Sequence, residues 1–246
     1  MNLRRLLLLV TIGFIAGLFA IAPARLVSVF LPGNISLDGL SGTLWNGAAR
    51  QLVVDNTATG ELEWEVKPSQ LFTGRLGLSF ISTLPDGSIS GNVAISLGGA
   101  IYLDSVKGTL PLGYIATDFP PGMLDGRVSL IFEEAVFENE WPTLLKGVLA
   151  VGNLVQNVPK PTPLGTFSVN FDGEQSEDGS INGVIATRSG ALQVDGLLTL
   201  NSDRSFIMDS MIRAKAETPD DLKAMLPLIG EQQPDGGYPL RYTGKL

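Results

Sequence analysis

The sequence predicts a mainly β protein: an N-terminal transmembrane helix, then a curved, groove-like antiparallel β-sheet with one short C-terminal helix. Three observations predict it. An unbroken uncharged run, LLLLVTIGFIAGLFAIA, comes after Arg4 and Arg5 and ends at Ala22. Beyond Asn34 the pattern is period-two alternation in short runs, punctuated by Gly, Pro, Asn and Asp, as half-buried strands and their turns require. Composition agrees, with 29 glycines, 15 prolines and only 17% charged residues, which favours tight turns over long surface helices.

Seventeen apolar residues at helical rise span roughly 26 Å, just short of a hydrocarbon core about 30 Å thick. Arg25 can snorkel and bring residues 23–25 into the crossing. Leu6, Leu9, Ile12, Phe14, Ile15, Leu18 and Phe19 are the expected lipid-facing anchor. Two arginines before the run hold that end in the cytoplasm by the positive-inside rule, so the chain beyond Ala22 is exported. The alternative is a cleaved signal peptide, with small residues at Ala20 and Ala22, although Pro23 would come directly after the scissile bond. The domain expectation is 1–25 for the cytoplasmic start and anchor and 26–246 for the exported β-rich part. A sub-boundary is expected near 157–163, where three prolines in five residues stiffen the chain.

Several strands read directly. In Glu61–Val66, Leu62, Trp64 and Val66 share one face and three glutamates the other. Val128, Leu130 and Phe132 align in the same way, as do Phe167, Val169 and Phe171. Leu62, Trp64, Val66, Val128, Leu130 and Phe132 are the candidate core or groove-lining face. Turns are expected at Pro85-Asp86-Gly87, Pro121-Gly122, Asp172-Gly173 and Asp178-Gly179. A short helical turn at Pro68–Phe72 is expected to stop at Gly74. Near the C-terminus Thr218 suits an N-cap, Pro219 the first helical position and Asp221 a capping-box partner. Leu222, Met225 and Leu226 form the apolar stripe of that helix, and Pro227 should end or kink it.

A weak repeat, apolar-x-Gly-x-apolar, recurs at LSGTL (40–44), ISGNV (89–93), VKGTL (106–110), LDGRV (124–128), LKGVL (145–149), INGVI (181–185) and VDGLL (194–198). Glycine inside a strand marks a bulge, a bend or a close backbone approach. A strongly curved sheet explains the recurrence. An ordinary meander with glycines at strand ends explains it too.

The chemistry available is narrow. There is no cysteine and no histidine, which excludes disulfides, thiolate nucleophiles, a Ser-His-Asp triad and the commonest metal ligands. Glu133 and Glu134 are expected on opposite faces of a strand. Asp220 and Asp221 suit the first turn of a helix. A calcium site from Asp172, Glu174, Glu177 and Asp178 does not match an EF-hand loop. No phosphate loop or dinucleotide fingerprint comes after a strand. The expectation is therefore a non-enzyme with no cofactor. With Arg4 and Arg5 set aside, 15 basic residues face 25 acidic ones, a net charge of −10, which repels nucleic acid and anionic headgroups alike. Trp45, Trp64 and Trp141 are read as sheet-core anchors, with a partner or the bilayer edge as the alternative contact.

LSGTLWNGAA (40–49) followed by LEWEVKPSQLFTG (62–74) resembles the type II secretion system protein N family. VKGTLPLG (106–113), WPTLLKGVLAVGNL (141–154) and the closing LKAMLPLIGEQQPDGGYPLRYTGKL (222–246) extend the resemblance over nearly the whole chain. Gly42, Trp45, Gly47, Pro68, Gly74, Gly108, Trp141 and Gly147 carry it. The resemblance implies an accessory component of type II protein secretion in the bacterial inner membrane. It would be single-pass, with its bulk periplasmic and no catalytic centre. Its partners would be other secretion components, the inner-membrane platform or the secretin. The family also resembles, distantly, AsmA-type proteins with lipid-binding grooves, which would add membrane lipids or a lipid ligand as partners.

Overall fold

Strands dominate because β-branched and aromatic residues alternate with polar ones from residue 35 to residue 245. In a computed structural model, residues 14, 17–29, 31, 33–55, 57–114, 120, 122–158 and 160–245 are described. Fourteen strands occur among them and every pairing is antiparallel. The chain forms two compact units that divide between Pro85 and Asp86, within one of the expected turns.

The first unit holds β1 (Ile35–Asp38), β2 (Ser41–Gly42), β3 (Asn46–Val54), β4 (Thr57–Lys67) and β5 (Arg75–Leu84). β1 and β2 both pair with β3, β3 with β4, and β4 with β5. β4 keeps to the sequence pattern: Trp64 is buried, Leu62 and Val66 are half-buried, and Glu61, Glu63 and Glu65 face water. The unit's core joins Trp64 to Ala24, Leu37 and Ala49, with Leu62, Val66 and Leu78 against them. Ala24 reaches that core from a 3-10 turn, Ala24–Val29. The turn expected at Pro68–Phe72 is a 3-10 turn, Pro68–Thr73, capped by Gly74 at φ 71°.

The second unit is a meander: β6 (Gly87–Ser96), β7 (Ile101–Pro111), β8 (Leu124–Glu138), β9 (Trp141–Gln156), β10 (Thr162–Gln175), β11 (Ile181–Ser189), β12 (Leu192–Leu200), β13 (Ser205–Ala214) and β14 (Tyr238–Lys245). Each strand pairs with the next in sequence. Its core cluster joins Ala135, Leu145, Phe171 and Ile181, with Phe132, Val169 and Leu198 beside them. β10 and β12 approach within 8 Å although β11 lies between them. Strands two apart in a flat sheet sit about 9.5 Å from each other, so the sheet bends there.

The repeat glycines lie largely inside strands rather than at their ends. Gly108, Gly147 and Gly196 are interior to β7, β9 and β12. Gly147 has φ 151°, and a Cβ there would meet the Ile131 carbonyl oxygen at 2.2 Å. A meander therefore coexists with close backbone approach.

Three local expectations change. Asp172-Gly173 is not a turn but lies within β10, where the register with β11 slips between Phe171 and Gln175; Gly173 takes φ 87° at this bulge. A second bulge, between Phe132 and Glu134, breaks the alternation of β8, so Glu133 and Glu134 are both exposed and buried Ala135 resumes the core face. The C-terminal helix α1 (Asp220–Met225) has Pro219, not Thr218, at its N-cap position, with no side-chain cap, and the Thr218 hydroxyl is spent elsewhere. Leu222 and Leu226 are buried, whereas Met225 is exposed and leaves the predicted stripe. Beyond Met225 the chain tightens into a 3-10 turn, Leu226–Leu228, with Pro227 inside it.

Of the expected anchor, Leu6, Leu9, Ile12 and Ile15 lie outside the described residues. Phe14 and residues 17–20 are helical, and Phe14, Leu18 and Phe19 are all exposed. No helix among the described residues is long and apolar enough to cross a membrane.

Candidate functional site

The residues singled out from sequence fall into two groups, one in each unit. In the first unit Gly42 and Gly47 pair across β2 and β3, and Gly42 takes φ 82°. The Thr43 N–H donates to the Asn46 carbonyl at 2.8 Å, closing the turn that presents Trp45. Trp45 Nε1 donates to the Phe19 carbonyl at 2.8 Å, and the two rings meet edge-on with centroids 4.7 Å apart. The Leu44 N–H donates to the Ala22 carbonyl at 2.8 Å, and Pro23 bridges to Thr43. The turn thus fastens residues 19–23, satisfying carbonyls that a helix leaves unpaired at its C-terminal end.

Trp64 stands opposite Gly47 in the β3–β4 ladder. A Cβ at Gly47 would fall 2.4 Å from Trp64 Cζ2, so the indole lies across a strand that has no side chain there. Its Nε1 donates to the Leu44 carbonyl at 3.0 Å, which satisfies the polar edge of a buried aromatic. On the glutamate side of the strands, a recess of about 310 Å³ is lined by Asn46, Glu63, Glu65, Ser79 and Ile81 among others. Pro68 and Gly74 bound the turn at the next connection.

In the second unit Gly108 is opposite Leu130, Gly147 opposite Phe132, and Trp141 opposite Glu138. Phe132, Gly147, Phe171 and Gly183 succeed one another across β8, β9, β10 and β11. Each ring covers the neighbouring glycine: Cβ atoms at Gly147 and Gly183 would lie 2.8 Å from Phe132 Cδ1 and 2.6 Å from Phe171 Cε1. Beside this row lie Gly108, Leu130, Leu149, Val169 and Ile185. Val128, Leu130 and Phe132 thus belong to an apolar face shared by several strands. Sequence reasoning misses Phe171 and Gly183 as a pair, because a cross-strand partner is invisible until the register is known.

The charged groups serve the frame. Glu133, at the β8 bulge, accepts from Lys146 Nζ at 2.7 Å. That hydrogen bond, with the charges of Glu133 and Glu134, raises the ammonium above its ordinary range. Asp178 and Asp203 are held below the usual carboxylate range by the hydroxyl and N–H of Ser180 and Ser205, which close the next turns. Asp235 is lowered first by Arg213 and then by the Gly237 N–H. Asp172 accepts from the Glu174 N–H at 2.9 Å, so of the four carboxylates considered for calcium Asp178 caps a turn and Asp172 braces the β10 bulge. No cluster of three metal-ligating side chains occurs among the described residues. Arg188 Nε donates to buried Ser168 Oγ at 2.9 Å. Asp220 and Asp221 both sit in the first turn of α1; Asp221 pairs with Lys160 and Asp220 with Lys223 at 3.4 Å.

Comparison with known proteins gives a consistent picture. The family model for type II secretion system (T2SS), protein N, matches residues 33–241. A protein from Aeromonas hydrophila called type II secretion system protein N is 26% identical over 252 residues, covering 94% of this chain and 98% of its own. One of the same name from Vibrio cholerae serotype O1 is 27% identical over 229 residues, covering 88% of this chain and 87% of its own. No solved structure matches the chain.

Proposed function

The chain belongs to the type II secretion system protein N family, and on that premise we propose that it is an accessory, non-catalytic component of type II protein secretion. It is held in the bacterial inner membrane by residues 6–22, with both β units in the periplasm, and it acts by protein–protein contact. The observation that carries this reading is the family match across residues 33–241, which takes in the strands of both units up to the middle of β14. Neither conspicuous group of residues offers a nucleophile with a base, and histidine and cysteine are missing from the sequence. Structural contact is what such surfaces do well.

The test is in-situ crosslinking from exposed positions of the periplasmic units, with captured species identified by mass spectrometry. Capture of the secretin or inner-membrane platform proteins is the expected result. Normal secretion after gene deletion, together with no envelope-complex partner captured, would sink the proposal.

A second reading is favoured by one observation, the apolar face in the second unit built from Val128, Leu130, Phe132, Val169 and Phe171. In this reading the face holds an acyl chain, as a lipid-binding groove would. Purification in mild detergent and then lipid mass spectrometry tests it, and a protein free of co-purifying lipid counts against it.

A further inference from the structure

The turn between β4 and β5 presents apolar side chains outward, exposed among the described residues. No residue of Pro68–Thr73 is buried; Phe72 is 94% exposed and Leu71 50%. This is not a loose loop. The Gly74 N–H donates back to Leu71 and Gln70, and Thr73 Oγ1 donates to the Gln70 carbonyl at 2.7 Å. These hydrogen bonds close the turn, and the Phe72 ring stands out from it.

What covers that ring is indicated by where the turn sits. Connections in an antiparallel meander alternate between its two ends, so the β2–β3 turn and the β4–β5 turn share one end of the first unit. The Val66 N–H donates to the Trp45 carbonyl at 2.7 Å and ties them together. At this end Trp45 and Leu44 fasten Phe19 and Ala22, so the apolar N-terminal stretch leaves the unit here. Phe14, Leu18, Phe19 and Ile21 are exposed along it. Three basic residues, Arg25, Lys67 and Arg75, flank the two features in a chain of net charge −8. An apolar tip between basic stems suits the boundary between acyl chains and anionic headgroups.

We propose that the Pro68–Thr73 turn is a second membrane contact, with Phe72 and Leu71 seated in the lipid–water interface of the bilayer that holds the N-terminal segment. The inference rests on residues 6–22 being a retained anchor. With residues 19–23 fastened to the first unit, a second contact beside the helix fixes the unit's tilt against the bilayer at two points.

Because the chain has no cysteine, single cysteines can carry an environment-sensitive fluorophore. Full-length Ser69→Cys, Leu9→Cys and Thr57→Cys variants are labelled and reconstituted in vesicles of phosphatidylethanolamine and phosphatidylglycerol containing nitroxide lipid. The label at position 69 should be quenched by the lipid nitroxide and shielded from aqueous iodide, unlike the label at exposed Thr57, at the opposite end of the same unit. Adding Leu71→Asp and Phe72→Asp in the Ser69→Cys background should reverse both effects. Quenching at 9 with an aqueous label at 69 overturns this proposal and leaves the anchor standing. An aqueous label at 9 overturns both. Lipid quenching at 69 no greater than at 57, or unchanged by the two aspartates, overturns the assignment to this turn.

Discussion

Trp64 and Gly47 show how single residues shape this protein. The indole occupies space that any side chain at position 47 would claim, and its N–H reaches a turn carbonyl three residues before that glycine. Trp64→Ala should cost about 3–5 kcal/mol, as large-to-small changes at buried aromatics do. Trp64→Phe should retain most of the packing and lose roughly 0.5–1.5 kcal/mol for the hydrogen bond; urea denaturation of the two variants separates the contributions. Titration is also a residue-scale matter. Asp178, Asp203 and Asp235 lie below their ordinary value of 3.8 in the folded protein, so the unfolded chain takes up their protons first. Their stabilisation is fully present above that value and is lost as pH falls through and below it. All three are exposed, so the effect is small and screened by salt. Asp235→Asn should flatten the acid side of the stability–pH curve, measured by denaturation at a series of pH values. Lys146, raised above 10.5, has the opposite sign: its contribution is present below that value and disappears as pH rises past it.

At the scale of elements, α1 shows what local rules can and cannot see. Thr218-Pro219-Asp220-Asp221 reads as a helix start, and a helix does start there, but one residue later than the capping pattern implies. Buried Thr218 instead accepts from the Lys215 N–H at 2.7 Å and donates to the Ala191 carbonyl. Thr218→Ala should therefore cost roughly 1–3 kcal/mol through unpaired buried backbone groups, while circular dichroism shows the helical signal unchanged. A true capping residue would lose both. β4 is legible because its period-two pattern runs unbroken from Glu61 to Val66, and the Pro68–Gly74 turn because proline and glycine bracket it. Phe132 and Glu133 are not legible beyond their own strand. The bulge that sends Glu133 and Glu134 both to water exists only in register with β9, and a single strand does not encode its neighbour's register. Asp172-Gly173 misleads for the same reason, since the αL-tolerant pair that makes a turn also makes a bulge. Asn139 and Glu140, both at positive φ, form the tight β8–β9 turn where Asn-Gly would be the usual signal.

For the whole molecule, the aromatic-over-glycine pairs recur in both units, Trp64 over Gly47 in the first and Phe132 and Phe171 over Gly147 and Gly183 in the second. The two units meet their own needs separately: the first buries its core beneath Ala24, and the second closes its core around Phe171 and Ile181. Removing residues 1–22 should destabilise the first unit, because Trp45 and Leu44 then lose the carbonyls of Phe19 and Ala22. The expected loss is about 1–3 kcal/mol for two deprived donors, read as a lowered urea midpoint relative to the full chain in detergent. An unchanged midpoint would mean that the N-terminal segment contributes nothing to the fold and that its loss by processing would be tolerated.

Within the second unit every strand pairs with the strand made just before it. Synthesis runs in the same direction, so each new hairpin finds its template already waiting and closes only a short loop. No strand of that unit must wait for a distant partner, which shortens the time its edges stay bare while the chain is incomplete. The last strand of the unit, Tyr238–Lys245, completes the ladder only after the other eight have been made. A chain cut short at any earlier strand keeps a growing edge, so the length of a truncated product is also the address of its stickiest surface.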